Sequence, residues 1–226
     1  MEKGENPPAK NTEGKCPYTD VIEIAHEMCQ NSKDETVDAV FDDFEENIGN
    51  PEYFKSRILL AAINAIVNEV NNEMVDRVPG DLHTFYSIDT VEDIDDSTMF
   101  PTEFLNSLSL SGLPEHELHL KMDTVVILLR NMDIKAGHCN GSRYMVKHIG
   151  QFRLVLHKLN AKQDDQNKVL ILPRIPMRYG GRSFKFGITC LQFPLKVAFA
   201  LTINRAQGQS AVKCGILLPK NVWTHG

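Results

Sequence analysis

Near the end of the chain Thr202, Asn204, Arg205, Gln207, Gly208, Gln209 and Ser210 place hydroxyl, amide and guanidinium groups around a single glycine. A glycine lets backbone amides approach an anion, and the neighbouring donors can then hold a phosphate without reading sequence. On the residues alone, the same stretch also reads as a helix C-terminus capped by glycine. A second set is basic and aromatic: Arg143, Lys147, Arg153, Lys158, Lys168, Arg174, Arg178, Arg182 and Lys185 alternate with Tyr144, Phe152, Tyr179, Phe184 and Phe186. Cations neutralise phosphates while aromatic faces stack on unpaired bases, which is the mixture a single-strand groove requires. Arg143, Lys147 and Arg153 are the candidate contacts on this basic face. The alternative is a basic face that docks on the acidic half of the same chain.

Other chemistry finds less support. His138 and Cys139 are adjacent, but Cys190 and Cys214 lie far downstream, and no pair has the two-to-four-residue spacing that closes two ligands on one zinc ion. No local signature marks a cysteine or serine nucleophile. Gly180-Gly181-Arg182-Ser183 lacks the G-x-x-x-x-G-K-[ST] spacing of a phosphate loop and is expected to be a hairpin turn. Residues 89–96 hold five carboxylates but neither the glycine nor the spaced ligands of a calcium loop, so a solvated acidic loop is expected. No metal site is expected.

The elements that must position these residues differ in charge. Residues 1–120 carry 7 basic and 26 acidic side chains, net −19, whereas residues 121–226 carry 17 and 4, net +13. The total of −6 over 226 residues conceals a strongly cationic C-terminal half, the footprint of a surface that meets phosphates. With 42% hydrophobic residues the chain can bury a core. Its apolar runs, at 58–63, 125–129 and 197–201, fall well short of the ~18–20 residues of a membrane span, so no membrane partner is expected. Five scattered cysteines and an N-terminus without an apolar run fit an intracellular, unsecreted protein.

Residues 1–15 read as a disordered lead-in and 16–56 as an acidic helical segment, with Val37, Val40, Phe41, Phe44 and Ile48 on one face. Residues 57–63 form a strand-length apolar run, and Asn64 is placed to cap a helix carrying Val67, Val70, Met74 and Val78, ended by Pro79-Gly80. A second strand is expected at 83–88 and a short helix at 102–108. Short β runs at 124–129, 143–149, 152–159 and 168–172, separated by turn residues, suggest a small barrel. From Phe193 the period reads as helical, before a last strand at 213–218. The fold class is therefore α/β, with a β-rich module (99–192) inserted into a lobe formed by 57–98 and 193–226.

The segment 192–210, with Thr202-Ile203-Asn204-Arg205-Ala206-Gln207-Gly208-Gln209-Ser210 at its end, resembles motif V of superfamily-one helicases, and most closely that of the Pif-type DNA helicases carried by Helitron transposons. Phe100-Pro101-Thr102-Glu103-Phe104-Leu105-Asn106, Leu113-Pro114, 118–121, 125–131 and Cys139-Asn140-Gly141-Ser142-Arg143 agree with the same family, as does the L-I-P-R-I-P-like stretch at 171–176. The resemblance covers residues 15–226. It implies that 57–98 and 193–226 are the second RecA-like lobe, a partial parallel sheet of the P-loop NTPase type, and that the insert is a small Src-homology-like β-barrel. It further implies that Thr202, Asn204, Arg205, Gln207, Gly208, Gln209 and Ser210 touch single-stranded DNA and couple it to a nucleotide site.

In the intact family such an enzyme uses ATP and magnesium to move 5′-to-3′ on single-stranded DNA in repair, recombination, telomere maintenance or transposition. That implies residence in the nucleus, with the mitochondrion as the alternative. This sequence departs from the pattern at Ala62, where a proline is usual, and at Asp123, where a glycine is usual. It contains no Walker A or Walker B motif and ends at Thr224-His225-Gly226, where the family goes on to the arginine of motif VI. The expectation is a chain that binds neither ATP nor magnesium stably by itself and depends on a first RecA-like lobe as partner. The rival expectation is a non-enzymatic single-strand-binding or interaction remnant.

Overall fold

The computed structural model describes residues 32–92, 101–108, 110, 112–160, 168–179 and 187–218. The expected lead-in at 1–15, Cys16 and Cys29, the acidic residues 93–96, the turn at Gly180-Gly181 with Arg182, Phe184, Lys185 and Phe186, and Thr224-His225-Gly226 lie outside the described residues.

Strand β1 (Arg57–Ala61) is the central strand of a three-stranded parallel sheet, flanked by β12 (Ala200–Thr202) and β13 (Lys213–Leu217). Its apolar run fits that place, because a strand covered on both faces needs no polar alternation. Helix α3 (Asn64–Arg77) follows β1 and buries Val67, Val70, Asn71, Met74 and Val75. Asn64 does not cap it. Asn64 is already the first helical residue, and the cap position falls to Ile63, which makes no side-chain cap bond. The chain thus enters the helix one residue earlier than the asparagine's capping preference suggested.

Over its described residues, 32–56, the acidic segment consists of short helical elements: α1 (Lys33–Val40), a 3₁₀ turn (Glu45–Asn47) and α2 (Pro51–Lys55). Ser32 Oγ accepts from the Glu35 amide to start α1, and Asn50 Oδ1 accepts from Glu52 to start α2. The helical spacing nonetheless picked out the right residues, since Val37, Val40, Phe41 and Phe44 are all buried. Phe41, Phe44, Phe54 and Phe199 meet with ring centroids 5.7–6.2 Å apart, most of them edge to face. Helix α1 lies so close to β13 that a Cβ on Gly215 would sit 2.6 Å from Val40 and 2.8 Å from Leu59.

The other sheets are antiparallel. Strand β2 (His83–Tyr86) pairs with β4 (Glu117–Leu120), and β3 (Ile88–Glu92) pairs with β10 (Gly187–Gln192), which also pairs with β9 (Ile175–Tyr179). Helix α4 (Thr102–Asn106) lies between β3 and β4 in sequence. Strands β2 and β3 lie within 57–98, the stretch expected to belong to the second lobe, yet both pair with residues of the insert, so sheet connectivity crosses the 98/99 boundary. Residues 89–92 belong to a strand, not to a solvated loop.

A five-stranded antiparallel sheet runs β11 (Leu195–Val197), β5 (Val125–Leu128), β6 (Arg143–Ile149), β7 (Arg153–Lys158) and β8 (Val169–Pro173). All four residues of β5 are buried because it stands between two cores. Val125 and Ile127 join the cluster around the parallel sheet, while Val126 and Leu128 join a second one with Tyr144, Leu154, Leu156, Leu172 and Phe193. Period-two alternation puts successive side chains into different cores.

The helix expected from Phe193 is absent: the segment forms β11, β12 and a short 3₁₀ turn (Ile203–Ala206). Phe193, Leu195, Ala198, Phe199, Ala200 and Leu201 are all buried. A run buried on every side shows no strand period, so spacing could not separate it from a buried helix.

Candidate nucleic-acid interface

Strand β12 ends at Thr202, in register with Ala61 of β1, and Ala61 is in turn level with Leu217 of β13. The parallel strands thus finish together, and the 202–210 segment leaves the sheet at their carboxyl ends, where open α/β sheets place their ligand crevices. Two devices hold it there. At its start, Asn71 of α3 is buried and donates to the Val197 and Ala200 carbonyls at 3.2 and 3.1 Å, while its Oδ1 accepts from the Ala200 amide at 2.9 Å. At its end, Gln209 donates from its amide to Ala206 O at 2.9 Å and from Nε2 to Gly141 O at 2.7 Å.

Between these anchors the segment is open. Asn204, Gln207, Gly208 and Ser210 are exposed, and Thr202, Arg205 and Gln209 are half-buried. Gly208 adopts φ +81°, with no atom within 4 Å of where a Cβ would be. Its glycine serves the left-handed backbone rather than a close neighbour. The structure therefore brings the seven residues into one turn with exposed amide and hydroxyl donors and an adjacent guanidinium, a set able to hold a phosphodiester.

The basic face is different from the expected one. Arg143 is 4% exposed, and its guanidinium donates to the carbonyls of Arg57 and Ala198 at 3.2 Å each. Burial pulls its pKa down to about 10. It ties β6 to the parallel sheet and cannot meet a phosphate at the surface. The mixture of basic and aromatic residues that singled it out carries no information on burial, and β6 is covered from Arg143 to Val146.

Lys147 is half-buried, with Nζ 2.5 Å from Asp123 and 3.2 Å from Gly49 O, so its charge is largely balanced. Arg153 is exposed at the start of β7 and has no ion-pair partner among the described residues. Other members of the set are also engaged. Lys158 donates to Gly137 O, and Arg174 donates to Tyr86 O while standing 5.4 and 5.3 Å from the Phe85 and Phe193 rings. Tyr144 is buried against His138, 2.8 Å from its Nδ1. Phe152 is exposed.

Other polar groups of the described residues cluster away from the 202–210 turn. Ser87 Oγ donates to Asp89 at 2.6 Å and lies 2.8 Å from His116 Nδ1. A hydroxyl has one proton, so the imidazole Nδ1 must be the donor to it. Cys190 lies beside this group, and burial, reinforced by the Asp89 carboxylate, pushes its thiol up to about 12. A thiol held protonated at neutral pH is no nucleophile. Among the described residues no group of three His, Cys, Asp or Glu side chains is placed to hold a metal ion.

Residues 103–149 match the family model for the DNA helicase Pif1, 2B domain. Among solved structures, the Pif1 helicase from Candida albicans is similar with a TM-score of 0.55 and 15% identity over 84% of this chain and 55% of that one. A Pif1 helicase from Bacteroides, in complex with ADP-AlF3 and ssDNA, gives a TM-score of 0.50 and 16% identity over 84% of this chain and 44% of that one. Unliganded Pif1 from Bacteroides sp gives 0.49 and 19% over 72% of this chain and 46% of that one. The chain thus spans about half the length of the solved helicases it matches. No curated protein matches the sequence.

Proposed function

We propose, for a chain that is Pif1-like in its 2B-domain segment and its fold, that it supplies the single-stranded-DNA contacts and translocation coupling of an ATP-dependent 5′-to-3′ DNA helicase. In this reading the parallel sheet is the second RecA-like lobe, the antiparallel strands of 99–192 are the inserted Src-homology-type barrel, and the partner is a first RecA-like lobe. DNA repair, recombination, telomere maintenance or Helitron transposition in the nucleus would be its setting.

The observation that carries the proposal is the 202–210 turn. It sits at the carboxyl ends of the parallel strands, is anchored at both ends by Asn71 and Gln209, and leaves Asn204, Gln207, Gly208 and Ser210 exposed. The Bacteroides relative was solved with single-stranded DNA, which supports the same ligand here. ATP and magnesium do not fit the residues present. Among the described residues, the glycine turn at the sheet's carboxyl edge, around Gly208, has no following Lys-Ser or Lys-Thr to cradle phosphates.

Fluorescence anisotropy of a labelled single-stranded oligonucleotide, titrated at low and moderate salt, tests the reading. Binding is expected to weaken with salt. Arg205→Ala and Arg153→Ala should each lower the slope of log K on log salt by about 0.7, and Lys147→Ala should do less because Asp123 already neutralises it. A folded, monodisperse sample that does not bind would overturn the proposal.

A further inference from the structure

Strands β6 and β7 form a hairpin closed by residues 150–153, where the Gly150 amide donates to the Arg153 carbonyl at 3.0 Å. The ladder behind it runs from Ile149↔Leu154 to Tyr144↔Lys158, so the tip is held on both sides. Phe152 stands at that tip and is 74% exposed. Phe41, Phe44, Phe54, Phe85, Phe193 and Phe199 are all buried, and leaving a phenyl ring in water forgoes about 2 kcal/mol that burial would return. Phe152 makes no ring contact among the described residues. Arg153, which follows it, is exposed and without an ion-pair partner among them.

We propose that the hairpin tip is a nucleotide-binding point on the single strand, with the Phe152 ring stacking on one unpaired base and Arg153 meeting a phosphate beside it. This rests on the single-strand reading above and adds a second point of contact to it. An exposed ring on a hairpin tip offers a π-face to any base and loses little freedom on binding, because a phenyl group has only two side-chain torsions. An adjacent guanidinium supplies the charge that a stacked nucleotide carries on its backbone. The ring's neighbours in the turn, Gly150, Gln151 and Arg153, include polar and charged groups suited to a nucleotide.

The two points of contact are separated. Gln209 pins the 202–210 turn at Gly141, two residues before β6 begins, and the tip lies at the other end of that seven-residue strand. Seven residues of strand span on the order of 20 Å. A strand engaging both must therefore be several nucleotides long.

The test uses the full chain and a labelled oligothymidine of about 16 nucleotides. Phe152→Ala and Phe152→Leu are expected to weaken binding at least about fivefold while leaving the salt slope unchanged, because no charge is removed. Phe152→Tyr keeps the ring and should bind like the wild type, and Arg153→Ala should lower the slope. All four changes are at the surface, where folding is little affected, and circular dichroism checks this. A Phe152→Leu variant that binds as tightly as the wild type overturns stacking and leaves the single-strand reading standing. Absence of binding by the wild type overturns both.

Discussion

Asp42 shows how a single side chain joins elements distant in sequence. Its carboxylate meets Lys213 of β13 at 2.9 Å and Arg57 of β1 at 3.1 Å, and the lysine first, then the arginine, hold its pKa below the ordinary 3.8. A carboxylate with a depressed folded pKa stabilises the fold above its unfolded value and loses that contribution as pH falls through the folded one. Asp42→Asn should therefore have a lower urea midpoint than wild type at neutral pH. The gap should close as pH falls below 3.8, and should be smaller in high salt because the site is exposed. A gap that stays constant down to about pH 2 would show that the ion pairs are not its source. Asp123 is a second such residue. It adopts φ +65°, the left-handed region, where the resembled family has glycine. Aspartate tolerates that backbone better than most residues, and here its carboxylate is used to hold Lys147.

At the level of elements, α3 and the β11–β12 connection are locked by one buried amide. Asn71→Ala would leave the Ala200 amide and the Val197 and Ala200 carbonyls without their buried side-chain partner. Each unmade buried hydrogen bond costs about 1–3 kcal/mol, and single substitutions rarely exceed about 5 kcal/mol, so a total loss of about 3–5 kcal/mol in urea denaturation is expected. A loss under about 0.5 kcal/mol, the range of surface changes, would mean that the lock is not what holds the start of the 202–210 turn. The five-stranded sheet is tied to the same region by Arg143, whose two terminal nitrogens donate to Arg57 and Ala198 while its buried Nε has no partner among the described residues. That residue fixes the five-stranded sheet against β1, so its role is in the joint between sheets.

For the whole molecule, phosphoryl transfer needs a lysine cradle, a magnesium ion and an arginine at the γ-phosphate. The sequence has no phosphate loop, so the purified chain should show no DNA-stimulated ATP hydrolysis in a coupled assay, even where it binds the oligonucleotide. Hydrolysis that co-elutes with the chain through successive columns and follows Arg205→Ala would overturn this. Binding without hydrolysis is the combination that separates a strand-tracking surface from a complete motor.

The sequence alone determined the charge split, the core positions Val37, Val40, Phe41 and Phe44, and the 202–210 set around Gly208, because composition and local spacing act within a few residues. The Pif-like motifs were legible for the same reason, each being a short run of side chains. Tertiary structure decided what lies across a sheet or in another core. It made strands of 195–202, where full burial erases the period. It also moved 83–92 into pairings with residues about 30 and 100 positions away, and it turned Arg143 from a surface cation into a buried clamp. Register and burial arise from partners distant along the chain, and no local pattern of side chains encodes them.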